Sequence, residues 1–274
     1  MSTKFERDTA LRRIGDRTFE GAIDEGWLVF RGPNGGYVAA IVLRALIETV
    51  ADESRPPRSL TIHYIAPADV GPITVATAVE RQGRSLTSCS ARITQGDRLV
   101  ALAMAAFSSP RPGPEFCDRE MPTVAPVADF PVEPTLPDAP AIARRWDTRW
   151  AIGQRPWTDE PPAHEAVAGG WIRLEEPQIL DACAVAAITD AWIPPVFSRT
   201  HERMVVPTID LTIHFRSALP LSGATPDDFL LAVFRTSAAK DGLFEEDGEV
   251  WSRDGVLVAQ SRQLAAVLPL PAQA

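Results

Sequence analysis

From Tyr37 to Val50 the chain is apolar on nearly every side, in a run rich in Ala, Val, Leu and Ile. That segment is too long and too rich in Ala and Leu for a strand, and a helix apolar all round is a buried one. The turn-rich stretch Arg31-Gly32-Pro33-Asn34-Gly35-Gly36 feeds into it, and the polar run from Ala51 to Arg58 ends it. After Leu60 the apolar positions recur every second residue. Strand-length segments over 60–66, 72–81, 84–95 and 98–108 are separated by Pro67-Ala68-Asp69, Gln82-Gly83 and Gln95-Gly96-Asp97. The glycine-bearing breaks predict hairpins, hence antiparallel strands. Upstream, residues 18–30 read as two short strands around a turn at Asp24-Glu25-Gly26. One buried helix followed by a four- or five-stranded antiparallel sheet is an α+β arrangement in which the sheet must wrap the helix.

The chain then says the same thing again. Gly26-Trp27-Leu28-Val29-Phe30 returns as Gly170-Trp171-Ile172-Arg173-Leu174, and Thr61-Ile62-His63-Tyr64 as Thr212-Ile213-His214-Phe215. Leu99-Val100-Ala101 returns as Leu257-Val258-Ala259, so the offsets run 144, 151 and 158 residues with order kept. Two copies at this spacing are no solenoid. They predict a tandem pseudo-dimer: a first domain over 1–108, a linker over 109–144 and a second domain over 145–274. Twelve of the 25 prolines fall between Pro110 and Pro162, where no hydrophobic period is sustained, so the linker is expected to cross the surface, ordered in part. In the second copy, strands are expected near 145–151, 170–174, 206–218, 228–238, 244–252 and 256–268, and a helix over Gln178–Trp192. Tight turns are expected at Asp247-Gly248 and Asp254-Gly255. A duplicated fold invites a site at the seam between its copies.

Composition narrows the class. The net charge of −9 argues against nucleic acid or an anionic membrane as partner. Cys89, Cys117 and Cys183 are odd in number with no metal-binding spacing, which suggests free thiols in a reducing compartment. The N-terminus lacks a signal-peptide apolar core, and no apolar run approaches the ~20 residues of a membrane span. A soluble, cytoplasmic protein is expected. There is no GxGxxG, Walker A loop or GxSxG elbow, and the four histidines form no ligand cluster, so neither a metal nor another cofactor is expected.

Four features could carry chemistry. Asp190 ends the apolar second helix, where the macrodipole is negative and burial raises a carboxyl pKa; it either handles a water or points into solvent. Thr208 opens Thr208-Ile209-Asp210-Leu211-Thr212-Ile213-His214-Phe215. Alternation there sets Ile209, Leu211, Ile213 and Phe215 against the helix and Thr208, Asp210, Thr212 and His214 on the other face. Its bland reading is a β-branched residue in a strand. Gln263 lies where the second copy carries Gln260-Ser261-Arg262-Gln263 against an all-apolar counterpart in the first, which means specialisation or simple exposure. Asn34-Gly35-Gly36-Tyr37 opens the first long helix, where free N–H groups can hold an oxyanion or carbonyl; the alternative is a plain tight turn.

Taken together, the Gly-Gly turn, the long buried helix and the wrapped antiparallel sheet resemble the hot-dog fold. The tandem resembles the double hot-dog acyl-CoA thioesterases of the thioesterase II type, over roughly 15–108 and 145–268. The resemblance implies an acyl-CoA substrate and a place in lipid metabolism. It also implies a water held by an Asp ending the second helix, a Thr opening the next strand and a Gln in the last strand. Asp190, Thr208 and Gln263 fill those three places, with Asp190 as general base, and the backbone N–H groups of Gly36 and Tyr37 would aim at the thioester oxygen. A homo-oligomer, dimer or larger, is expected by analogy. Two alternatives stay open: an enoyl-CoA hydratase or dehydratase recruiting His63 or His214, and a non-catalytic acyl-CoA carrier.

Overall fold

The computed structural model describes residues 2–30 and 32–270; Arg31, within the turn-rich stretch, and the extreme ends of both expected domains lie outside them. The first half comprises helix α1 (Lys4–Asp8), strand β1 (Thr18–Ile23), helix α2 (Gly35–Val50), and strands β2 (Pro57–Tyr64), β3 (Gly71–Gln82), β4 (Leu86–Gln95) and β5 (Arg98–Ser108). The second comprises β6 (Trp146–Ile152), β7 (Ala166–Leu174), α3 (Ala182–Ile188), β8 (Thr208–Phe215), β9 (Leu230–Thr236), β10 (Leu243–Ser252) and β11 (Leu257–Ala266). These strands form one antiparallel sheet in the order β1-β3-β4-β5-β2-β8-β11-β10-β9-β7-β6, with two-residue strands at Arg12–Arg13 and Ala239–Lys240 as additions.

The repeat explains the order. β2 and β8 are the duplicated Thr-Ile-His segments, and they pair with each other so that Thr61 faces its own copy, Thr212. Their hydroxyl oxygens lie 3.1 Å apart. A pseudo-twofold axis passes through this pair, and the strand order reads alike outward from it. The symmetry reaches irregularities. A bulge between Thr208 and Asp210 has its twin between Pro57 and Ser59, each 151 positions earlier.

Both helices lie on the inner face of the sheet, in one core with Leu60, Ile62, Leu211, Ile213 and Ala259. Packing is close where they cross: a Cβ on Gly36 would stand 2.6 Å from the carbonyl oxygen of Ala187. Glycine here is a requirement of contact between backbones. Helix α3 is shorter than the expected 178–192. Asp181 caps it by accepting from the N–H of Ala184, and beyond Ile188 the chain tightens, Asp190 N bonding to Ala187 O and Ala191 N to Ile188 O. The apolar composition continued past both ends, but the capping side chain and the final turn set the limits.

Two other departures have local causes. Asp247-Gly248 is no turn but the middle of β10, where Gly248 leaves room for Phe234; a Cβ would come 2.9 Å from that ring. Asp254-Gly255 does turn, with Gly255 at φ +82°. The linker forms a strap: Met121, Val124, Val127 and Phe130 cover the outer face of the second half over Trp171, Leu231, Val233 and Trp251. The Trp171 indole N–H donates to Ala125 O at 3.0 Å. Covered on both faces, β9 is buried continuously from Leu230 to Phe234 rather than alternately. Across the halves, Arg145 bonds Asp24 at 2.5 Å and Asp8 at 3.2 Å and lies over the Trp27 ring. Helix α1, unforeseen in the sequence, seats Phe5 against the same ring.

Candidate active site

Where α2 and α3 cross, the antiparallel packing puts the end of one beside the start of the other. Asp190 closes α3, yet its neighbour is the N-terminus of α2. The charge that looked misplaced against its own helix faces the positive end of a longer one. Its Oδ2 accepts from the Gly36 N–H at 2.9 Å and from the Asn34 amide at 3.0 Å. Asn34 also donates to the Asp190 carbonyl at 2.7 Å, while its own Oδ1 caps α2 by accepting from the Tyr37 N–H at 3.0 Å. The cap must both accept and donate, which an amide can do and an aspartate cannot. Burial raises the Asp190 carboxyl to about 6, the N–H groups of Gly36 and Gly35 and the amides of Gln263 and Asn34 pulling the other way.

The remaining residues come from the sheet. Alternation sets Thr208 on the outer face, and the structure corrects this. The bulge at Ile209 places Thr208 opposite Ala265 while Asp210 stands opposite Leu264, so Thr208 turns inward. Its hydroxyl donates to Gln263 Oε1 at 2.8 Å. Gln263 itself is buried on the inner face, not exposed. Asp190, Thr208, Gln263, Asn34 and Gly35 line one cavity of about 480 Å³ at the seam, whose walls are otherwise largely apolar and include Val38, Trp192, Phe197, Met204 and Phe244. Among the described residues no histidine, lysine or arginine lines it. His63 and His214 sit on the exposed outer face.

Tyr37 does not join them. Its ring stacks on Trp27 at 4.8 Å and its hydroxyl donates to Asp8 O at 2.6 Å, on the side of α2 away from the cavity. Nor are the Gly36 and Tyr37 N–H groups free for a thioester oxygen: the first is held by Asp190 and the second by Asn34. The helix start therefore grips the carboxylate, and the expectation of an oxyanion site at these two N–H groups is corrected accordingly.

Two residues at the site escaped the sequence reading. Tyr64 donates to Gly35 O at 2.7 Å, the other end of the peptide whose N–H holds Asp190, and burial and the Asp190 charge raise its phenol well above the usual range. Glu246 is buried beside Gln263, whose Nε2 donates to its Oε1 at 2.6 Å. Strand periodicity through Phe244, Glu246, Gly248 and Val250 marks Glu246 as inward, a signal hidden by reading Asp247-Gly248 as a turn.

Comparison with known proteins bears on the chain as a whole. The acyl-CoA thioesterase N-terminal domain matches residues 23–108, and the acyl-CoA thioesterase C-terminal domain matches 114–267. A conserved protein of unknown function with a hot-dog fold from Alicyclobacillus acidocaldarius is 28% identical, with TM-score 0.88 over 100% of both chains. A putative thioesterase II from Thermobifida fusca is 25% identical, with TM-score 0.81 over 97% of each. The thioesterase-like protein TwmA of Talaromyces wortmannii is 23% identical over 332 residues, covering 97% of this chain and 92% of its own. The fold is the double hot-dog α+β fold.

Proposed function

We propose, for a chain that belongs to the acyl-CoA thioesterase family and is a thioester hydrolase, that it cleaves an acyl-CoA whose acyl group lodges in the seam cavity. Asp190 acts as general base on the attacking water, with Thr208 and Gln263 holding that water in place. The observation that carries this reading is a carboxylate gripped by the start of α2 and opening into an apolar cavity. Raised to about 6, that carboxyl is ionised at neutral pH and still basic enough to take a proton from water. Water oxygen bonds to the thioester carbon, the C–S bond breaks, and the proton taken by Asp190 passes to the departing thiolate, giving free acid and CoA. The cavity walls are largely apolar, which suits the acyl end of the substrate. With both candidate histidines on the outer face, the hydratase alternative lacks its base.

The test is release of free CoA from acyl-CoAs of rising chain length, with Asp190→Asn alongside. The expected loss in the variant is about 10²- to 10⁴-fold. Undiminished release in the variant would remove Asp190 from the chemistry. Binding without release in either protein would make the chain a carrier.

A further inference from the structure

Glu246 stands in β10 directly opposite Gln263 in β11 and is only 5% exposed. One carboxyl oxygen, Oε1, accepts from Gln263 Nε2, while Oε2 is enclosed and has no hydrogen-bond partner. The charged groups that bear on it are acidic: Asp190 from the end of α3, and Glu245 and Asp247 on its own strand. Asp247 is paired outward with Arg262 of β11. A buried carboxyl with no cation beside it stabilises a fold less than an apolar side chain of its size. Its contribution is therefore to be sought in what it holds.

What it holds is an amide. The Gln263 side chain has nearly the same shape when turned end for end, but the turn exchanges donor and acceptor. Thr208 alone does not fix the direction, because its hydroxyl rotates and can donate or accept. The acceptors on the other side, Glu246 Oε1 and the ionised Asp190 carboxylate, break the tie together. We propose that Glu246 is a positioning residue that holds the Gln263 amide with Oε1 toward Thr208 and Nε2 toward Glu246 and the Asp190 carboxylate, so that the attacking water meets one arrangement of donors and acceptors. The proposal rests on the reading of Asp190, Thr208 and Gln263 given above. Burial pushes the Glu246 carboxyl up to about 8, so at neutral pH it is largely the uncharged acid. Because the Asp190 carboxylate can only accept, Nε2 turns its way, and the Glu246 acid then carries its proton on the unpartnered Oε2 and accepts through Oε1.

The experiment compares Glu246→Leu, Glu246→Gln, Gln263→Ala and the double variant Glu246→Leu/Gln263→Ala in acyl-CoA hydrolysis, with Asp190→Asn as reference. Removing the acceptor in Glu246→Leu should lower kcat about ten-fold or more while KM stays within about three-fold. Glu246→Gln keeps a carbonyl acceptor and should recover most of that loss. In the Gln263→Ala background the leucine substitution should change kcat less than about two-fold, because the residue acts through Gln263. An equal loss from Glu246→Leu with and without Gln263, or no loss in either, overturns the proposal. So does a Glu246→Gln protein, folded by circular dichroism, that is as slow as the leucine variant. An Asp190→Asn protein that keeps full activity instead overturns the catalytic reading itself, and the two failures are thereby distinct.

Discussion

Replacing Gly36 by alanine tests whether the helix crossing is the device that holds Asp190. Two effects compete. Alanine gains helix propensity over glycine, at most about 1 kcal/mol and less in the first turn of a helix. Against this, the new methyl would stand 2.6 Å from Ala187 O, 3.0 Å from Asp190 Cβ and 3.2 Å from Ala186 O. Two of these are backbone atoms at the end of α3 that cannot swing aside. Restoring normal contact requires the helices to part by roughly 1 Å, and overpacking of this kind destabilises by about 1–3 kcal/mol. The clash wins, for a net loss of about 1–2 kcal/mol in a urea titration. The same separation stretches the 2.9 Å bond from the Gly36 N–H to Asp190 beyond hydrogen-bonding range. Asp190 then loses the strongest of the contacts that keep its pKa down. The acid limb of the pH–rate profile should move to higher pH, and kcat should fall about ten-fold, the scale of one charge-assisted hydrogen bond. A Gly36→Ala protein as stable as the parent, with an unmoved acid limb, would refute the account of the crossing.

Other outcomes follow from the same geometry. In the parent protein kcat/KM should fall as pH drops through about 6, since Asp190 must be ionised to act as base, and a profile flat down to pH 4 would count against it. Glu246 is raised from 4.5 to about 8, so the folded chain holds a proton that the unfolded chain releases. Its contribution to stability is full below pH 4.5 and is lost as pH rises toward 8. Glu246→Gln should accordingly be the more stable protein at pH 8, by up to a few kcal/mol, and lose that advantage near pH 4; equal melting curves at pH 8 would contradict this. Arg145→Ala leaves Asp8 and Asp24 without their shared partner and should cost about 2 kcal/mol in urea, where a change within about 0.5 kcal/mol would mean the clip is idle.

Much of the architecture was legible because it depends on local pattern. The apolar run from Tyr37, the period-two segments and the repeats foretold the helix, the hairpins and the tandem duplication, though not which strands would join the halves. What escaped depends on partners distant in sequence. The bulge that turns Thr208 inward is invisible to strict alternation. Gly248 looks like a turn residue until Phe234 is seen against it. Asp190 looked electrostatically misplaced because only its own helix could be read, whereas the field it experiences comes from the start of α2. The Asn34-Gly35-Gly36 turn does lie against the cavity, but the Gly36 N–H and the Asn34 amide serve the protein's own carboxylate. Tyr37, next in line, faces Trp27 because residue 37 falls on the other side of the helix.

The twofold axis through Thr61 and Thr212 generates a second place equivalent to the one that holds Thr208 and Gln263. Matching strand registers put Pro57 where Thr208 would be and Ala105 where Gln263 would be, with Cys89 in the position of Glu246. At these three positions the side chains can neither donate to nor accept from a water, apart from the buried Cys89 thiol. Joining two copies in one chain has allowed them to divide labour, which a dimer of identical subunits could not do. One copy supplies Asp190, Thr208 and Gln263, and the other supplies a helix terminus and a wall. On the proposed mechanism the stoichiometry is one reaction centre per chain, however many copies of the fold it contains.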